Sequence, residues 1–353
     1  MTLFFFFGLS IAIFLFLLIL VKRNKNNADY ILAIWMGYMT VHLTFFLLDY
    51  SKFSYEHPHL LGILLPFPIL HGFFLYSYTL QTTTNRFFSA KVLSLHLTPF
   101  LLLVILAVPF YSLPAAAKLQ VFQNQGRGFE WNSAVQMGLF VTVCLTYSTV
   151  SILAIKRHRR QMLNLFSNND RKKLVWLEWM SLGLGAIWVL AFSFDDTVIF
   201  SGVVLFILFI GVFGITQTPV FFTTVQEERL IDESTTTQGE QGQEKYQKSG
   251  LTPEETARLS DLLETYMQQN KPYKNPDLTL DELAALVKIN PNQLSQVINS
   301  RAGKTFYHYI NSYRIREFLA LAALPESRKF TYMGLAYDCG FQSKTTFNKY
   351  FKM

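Results

Sequence analysis

The chain has 353 residues, of which 51% are hydrophobic and 16% charged, with a formal net charge of +7. The long apolar runs crowd into the first ~220 residues and the last ~130 read as an ordinary soluble domain, which excludes a single soluble globule. Cys144 lies in an apolar run and Cys339 in the soluble part, with no CxxC motif, which excludes a disulfide framework, while the positive balance suits anionic lipid or nucleic acid.

In chain order, seven segments reach the roughly 20 apolar residues that a helix needs to cross the hydrocarbon core. They are residues 3–21, 30–48, 60–80, 92–111, 134–155, 174–192 and 198–217. The third carries Pro66 and Pro68 and the fourth Pro99 and Pro109, tolerable in bundled spans because neighbours satisfy the freed backbone groups. The first segment lacks a basic leader, is too long for a signal peptide and is followed by Lys22, Arg23 and Lys25, so it is expected to remain as a span. Twelve basic residues follow spans one, three and five, among them Arg86, Lys91 and seven in the stretch 156–173; three follow spans two, four and six. That bias places the N-terminus outside, and an odd number of spans leaves the C-terminal region in the cytoplasm. The expected location is the inner, cytoplasmic membrane, crossed several times. The basic stretch 156–173 is expected as a solvated face or a lipid-headgroup contact.

Within the spans stand His42, His71, His96 and Glu178, with Asp49, Asp195 and Asp196 at the outer ends. Ionisable groups at bilayer depth are candidates for binding a sensed ligand; interhelical hydrogen bonding is the plainer role, and both stay open here. The histidines show no HxxxH-type spacing, so no metal ligand is assigned.

Residues 221–250 are polar and rich in Thr, Gln and Glu, too poor in apolar surface to offset their ordering entropy, and read as a flexible linker between a domain at 1–220 and one at 251–353. Thr252-Pro253-Glu254-Glu255 then combines an N-cap, a proline at the first helical position and a glutamate at the third. Thr279-Leu280-Asp281-Glu282 is a second capping box, opening a helix to about Val287, and Asn290-Pro291 opens another to about Arg301. Two short helices joined by a tight turn form a helix-turn-helix, here with Ala284, Ile289, Leu294, Val297 and Ile298 at its packing positions. A longer helix over 306–324 follows. The pattern then recurs: a short helix from Met333, a turn at Cys339-Gly340-Phe341, and a helix capped by Ser343 that bears Phe347 and Phe351. Gly340 falls where the turn needs a left-handed residue. The expected fold is all-α, a seven-helix transmembrane bundle followed by a soluble domain with two helix-turn-helix motifs.

At these residues the tail resembles the AraC-type DNA-binding domain. Leu280–Ala284, Ile289-Asn290-Pro291 and Leu294 look like its first motif, and Tyr307, Asn311 and Tyr313-Arg314 the start of its connecting helix. Ala336, Gly340-Phe341-Gln342-Ser343, Phe347 and Phe351-Lys352 are similar to its most recognisable signature. The resemblance covers about residues 278–353 and implies sequence-specific binding to double-stranded DNA. It departs at Lys288, where the first motif often has Gly, a strain of about 1 kcal/mol if that residue is left-handed. The resemblance also implies a Gly-x-Thr-Pro-type segment and a final helix beyond Met353, so the chain is expected to be a truncated record with an incomplete second half-domain.

From Lys288 to Met353 ten basic residues face three acidic ones, the expected phosphate-binding surface. In a helix-turn-helix the second helix enters the major groove with its N-terminal side chains at the base edges. Those side chains are Asn292, Gln293, Ser295, Gln296 and Asn299 in the first motif and Lys344, Thr345, Thr346, Asn348 and Lys349 in the second. Arg301, Lys304 and Arg314 suit phosphate; for Arg314 a brace between the two subdomains is an equal alternative. Together these features read as a membrane-tethered transcription regulator whose spans answer an unknown ligand. Tails held close together favour paired sites, which admits a homodimer. The alternative is a transporter or membrane-embedded enzyme with a helical regulatory tail. No nucleophile–base pairing, P-loop or inverted repeat of broken helices supports it, so no catalytic residue and no cofactor is assigned.

Overall fold

The computed structural model describes residues 1–85, 88–168, 174–191, 195–214 and 251–353, and every extended element among them is a helix. The linker expected at 221–250 lies outside the described residues, as do Arg86, Arg171, Lys172, Lys173 and the last residues of the expected sixth and seventh spans. The chain forms two compact units, one of Met1–Lys156 with Val175–Phe221 and one of Arg157–Leu174 with Phe222–Met353.

The first unit contains α1 (Thr2–Val21), α2 (Asn27–Tyr50), a single turn α3 (Phe53–Glu56), α4 (Phe67–Thr84), α5 (Ala90–Tyr111) and α6 (Ala115–Gln123). The long α7 (Glu130–Leu165), α8 (Val175–Leu190) and α9 (Asp196–Phe213) follow. Five of these (α1, α2, α5, α7 and α9) are long and apolar enough to cross a membrane, and α8 is a shorter apolar helix. Helix α1 packs on α2 and α9, α2 on α4, α4 on α5, and α8 on α9. The outer surface keeps large apolar side chains exposed along its length, among them Leu3, Phe14, Leu95, Ile105, Leu153 and Leu205. An apolar exterior of this kind is the sort that lipid covers.

The third expected span differs in register. Its helix begins at Phe67 rather than near residue 60, because Pro66 and Pro68 occupy the N-terminal boundary instead of the interior. Proline fits the first turn, where its missing N–H would be unpaired in any case. Pro99 and Pro109 do lie inside α5. Helix α4 is also the polar one: His71, Ser77, Thr79, Gln81 and Thr83 are buried on it. Ser77 and Thr83 return their hydroxyls to the carbonyls four residues back, each at 2.8 Å.

The second unit contains α10 (Pro253–Asn270), α11 (Leu280–Val287), α12 (Pro291–Ala302), α13 (Phe306–Ala322), α14 (Tyr332–Asp338) and α15 (Lys344–Phe351). Four of its helix starts, at Thr252, Thr279, Asn290 and Ser343, are the capped ones that the sequence places, and the caps at Thr305 and Thr331 are additional. Thr252 and Thr279 each form a complete capping box, with Glu255 and Glu282 respectively. Asn290, Thr305, Thr331 and Ser343 cap α12 to α15 with their side chains. One core gathers Leu263, Met267, Leu280, Leu283, Leu294, Val297, Ile298 and Ile310 around the first helix pair. A second gathers Tyr307, Phe318, Leu335, Phe341, Phe347 and Tyr350 around the second pair. Helix α13 supplies side chains to both and is the spine of the unit.

The stretch 157–168 departs from the expected solvated loop. Met162, Leu165 and Phe166 are buried in the core of the first helix pair, and Leu163 packs against the second. Phe166 makes an antiparallel bridge with Thr279.

Candidate nucleic-acid interface

The first helix-turn-helix is α11 and α12. Lys288 ends α11 in the left-handed conformation at φ 59°, and Ile289 N–H closes the turn on the Ala284 carbonyl at 2.9 Å. The expected strain is therefore present. On α12, Leu294, Val297 and Ile298 are buried, which turns the opposite side outward. Asn292 and Arg301 are exposed, and Gln293, Ser295, Gln296 and Asn299 are half-buried. Asn299 Nδ2 donates weakly to Ser295 Oγ at 3.4 Å, and Gln296 Oε1 is enclosed with no hydrogen-bond partner among the described residues. Amide side chains with spare donors or acceptors on this face are the chemistry that reads adenine edges.

The second motif is α14 and α15. Gly340 forms its turn at φ +92°. A Cβ there would stand 2.5 Å from the Tyr273 carbonyl oxygen and 3.0 Å from Arg314 Nε, so glycine is required both for the conformation and for the close approach. On α15, Lys344, Thr345 and Lys349 are exposed and Asn348 is half-buried. Thr346 is a correction. It is only 8% exposed, and its hydroxyl lies 3.4 Å from that of Tyr307. Three residues after the Ser343 cap, its position on the helix turns it toward α13 rather than outward.

Lys304 is exposed just after α12. It and Lys349 of α15 both act on His308 of α13: burial first, then these two ammonium groups, hold the imidazole below its ordinary value. His308 Nδ1 is paired with the Tyr350 hydroxyl.

Arg314 is not placed for phosphate. It is 1% exposed, and all three guanidinium nitrogens are engaged. Nε donates to the Tyr273 carbonyl at 2.7 Å. Nη1 donates to the Ser167 carbonyl at 3.1 Å and Asn311 Oδ1 at 3.4 Å. Nη2 donates to the Asn275 carbonyl at 2.8 Å and Ser167 Oγ at 3.0 Å. Burial lowers its pKa to about 10, so it remains a cation at neutral pH. The geometry is that of the brace. Near it, Glu317 gathers Lys271 at 2.9 Å, Lys274 at 3.0 Å and the Tyr273 hydroxyl at 3.0 Å. Burial alone would raise its carboxyl, but those donors together hold it below the usual range.

Sequence reasoning missed Ser167 and the pairing of His308 with Tyr350. A signal for the first was present, since Leu163, Leu165 and Phe166 interrupt a basic stretch that a purely solvated loop would leave polar.

In the first unit, two of the four candidate ligand groups meet. Trp35 Nε1 donates to His71 Nδ1 at 3.0 Å, and His71 Nε2 lies 2.8 Å from His42 Nδ1. Because indole only donates, the His71 proton sits on Nε2 and passes to His42 Nδ1 as a hydrogen bond. His42 then carries its own proton on Nε2, which is buried without a partner among the described residues. His96 is paired instead with the Tyr147 hydroxyl at 2.9 Å, and Glu178 is half-buried on α8.

No curated protein and no solved structure matches the chain. Residues 283–353, from within α11 to the last residue, match the family model described as a Helix-turn-helix domain. The C-terminal region is thus a helix-turn-helix domain on sequence comparison as well as on geometry.

Proposed function

We propose that this chain is a membrane-tethered, sequence-specific DNA-binding regulator of transcription, resembling the AraC type, whose apolar bundle answers a signal. The observation that carries this reading is the pairing of two helix-turn-helix motifs on one spine. Each turns a polar face outward on its second helix. The apolar exterior of the first unit supports anchorage in a bilayer; the loop charges favour an outside N-terminus, and with the seven spans read from the apolar segments the tail lies in the cytoplasm. Asn292, Gln293, Ser295, Gln296, Asn299, Lys344, Thr345, Asn348 and Lys349 are the side chains offered to base edges, and Arg301 and Lys304 those offered to phosphate.

The test is retention of duplex fragments by the full chain in lipid nanodiscs across a salt series. Each neutralised phosphate adds about −0.9 to the slope of log K against log salt, so the two phosphate contacts, Arg301 and Lys304, predict a slope of about −2. Sequence preference should persist as total binding falls. Retention that is flat with salt, or indifferent to sequence, overturns the reading.

A further inference from the structure

We infer that residues 162–168 are a docking segment, carried at the end of α7, which seats on the helix-turn-helix unit and holds its two motifs in one arrangement. The inference rests on the DNA-binding reading for its purpose, though not for the docking itself.

Ser167 is bonded through every polar atom it has. Its N–H donates to the Leu278 carbonyl at 3.1 Å. Its carbonyl accepts from Asn311 Nδ2 and from Arg314 Nη1, each at 3.1 Å. Its hydroxyl oxygen accepts from Arg314 Nη2 at 3.0 Å. Asn311 and Arg314 are 0% and 1% exposed, so these are desolvated, charge-assisted contacts rather than surface encounters. Around them the segment contributes apolar side chains to both cores, with Met162, Leu165 and Phe166 on the first and Leu163 on the second. Asn168 then pairs with Gln342, the residue before the Ser343 cap of α15, and Gln342 also donates to Asp277 Oδ1 at 2.9 Å. One short segment therefore touches the start of α11 through Thr279, the spine α13, and the approach to α15.

The contacts are built to be left as well as made. If Ser167 withdrew, Arg314 Nε would keep Tyr273, Nη1 would keep Asn311, and Nη2 would keep Asn275. No guanidinium nitrogen would be stranded. The unit would lose this one link between its motifs, while α13 and its central cation stay in place. Residues 130–156 of the same helix are grouped with the apolar unit. The seated form is the one that holds both second helices together for DNA.

The test uses the full chain in nanodiscs. Phe166 and Thr279 face each other as a non-hydrogen-bonded antiparallel pair, the class with Cα atoms about 4.5 Å apart, which suits a disulfide. The pair Phe166→Cys with Thr279→Cys, in a background of Cys144→Ala and Cys339→Ala, should cross-link under mild oxidation, and the cross-linked form should retain DNA at least as well as the reduced one. Phe166→Ala and Ser167→Pro should each weaken sequence-specific retention about tenfold or more. Hydrogen exchange over α12 and α15 would establish that these variants remain folded. Failure to cross-link, or variants that are folded and bind like wild type, overturns the docking segment. A chain that cross-links but never retains DNA with sequence preference overturns the DNA reading and leaves the docking intact.

Discussion

Arg314→Ala separates a brace from a phosphate contact. The substitution strips donors from the buried carbonyls of Tyr273, Asn275 and Ser167. An unpaired buried acceptor costs about 1–3 kcal/mol, and water entering the vacated space would recover part of that. A net loss of about 2–4 kcal/mol follows, because neutral acceptors and no buried charge are left behind. Arg314→Lys keeps the charge but has one nitrogen where three diverging donors are needed, and should cost about half as much. All five tryptophans lie at or before residue 188, so intrinsic tryptophan fluorescence is blind to the second unit. Urea-pulse proteolysis of the full chain in nanodiscs, read through a C-terminal epitope, reports it instead. A phosphate contact would behave in the opposite way, with stability unchanged and the salt slope reduced by about one. If Arg314→Ala unfolds at the wild-type urea midpoint, or if Arg314→Lys equals wild type, the bracing argument is wrong.

Three further outcomes follow from the same unit. Gly340→Ala combines a positive φ with a Cβ 2.5 Å from a backbone oxygen; a loss of at least about 3 kcal/mol is expected by the same proteolysis assay, with hydrogen-exchange protection falling first around α14 and α15. Lys288→Gly relieves a left-handed lysine at the end of α11 and should stabilise the unit by about 1 kcal/mol, leaving the face of α12 and the DNA preference unchanged. Glu317 is held below its ordinary value of 4.5, so its contribution is complete above that pH and disappears as pH falls through the lowered folded value. Glu317→Gln should flatten the stability profile in that acid window and cost about 1–2 kcal/mol at neutral pH, discounted because both lysines are largely solvated.

Much of the second unit was legible because its signals are local. Thr252, Thr279, Asn290 and Ser343 announce helix starts through side chains that bond backbone two or three residues away, and Gly340 marks a turn by its conformation alone. Five of the seven expected spans were equally plain by length and composition, whereas the helices of the third and sixth fall short of what a span needs. What the sequence did not show depends on distant partners. Nothing in Ser167 or its neighbours identifies Arg314, some 147 positions later, as the group that it binds. The inward turn of Thr346 is set by Tyr307 across the unit, and the same polar residue one position earlier faces water. The start of α4 was misplaced for a different reason: hydropathy counts Leu60–Leu65 as span, whereas the missing N–H of two prolines decides where the helix can begin.

The row of rings in the first unit has a direction. Indole can only give its hydrogen, so Trp35 fixes which nitrogen of His71 is bare, and that choice fixes His42 in turn. The sequence of bonds runs one way and ends on a hydrogen that is owed an oxygen or nitrogen lone pair and would repel a cation. Were Trp35 replaced by Phe, the anchor would be gone and both imidazoles could flip their protons together. The two imidazoles could then end the row on either a donor or an acceptor at His42, and the fixed direction would be lost.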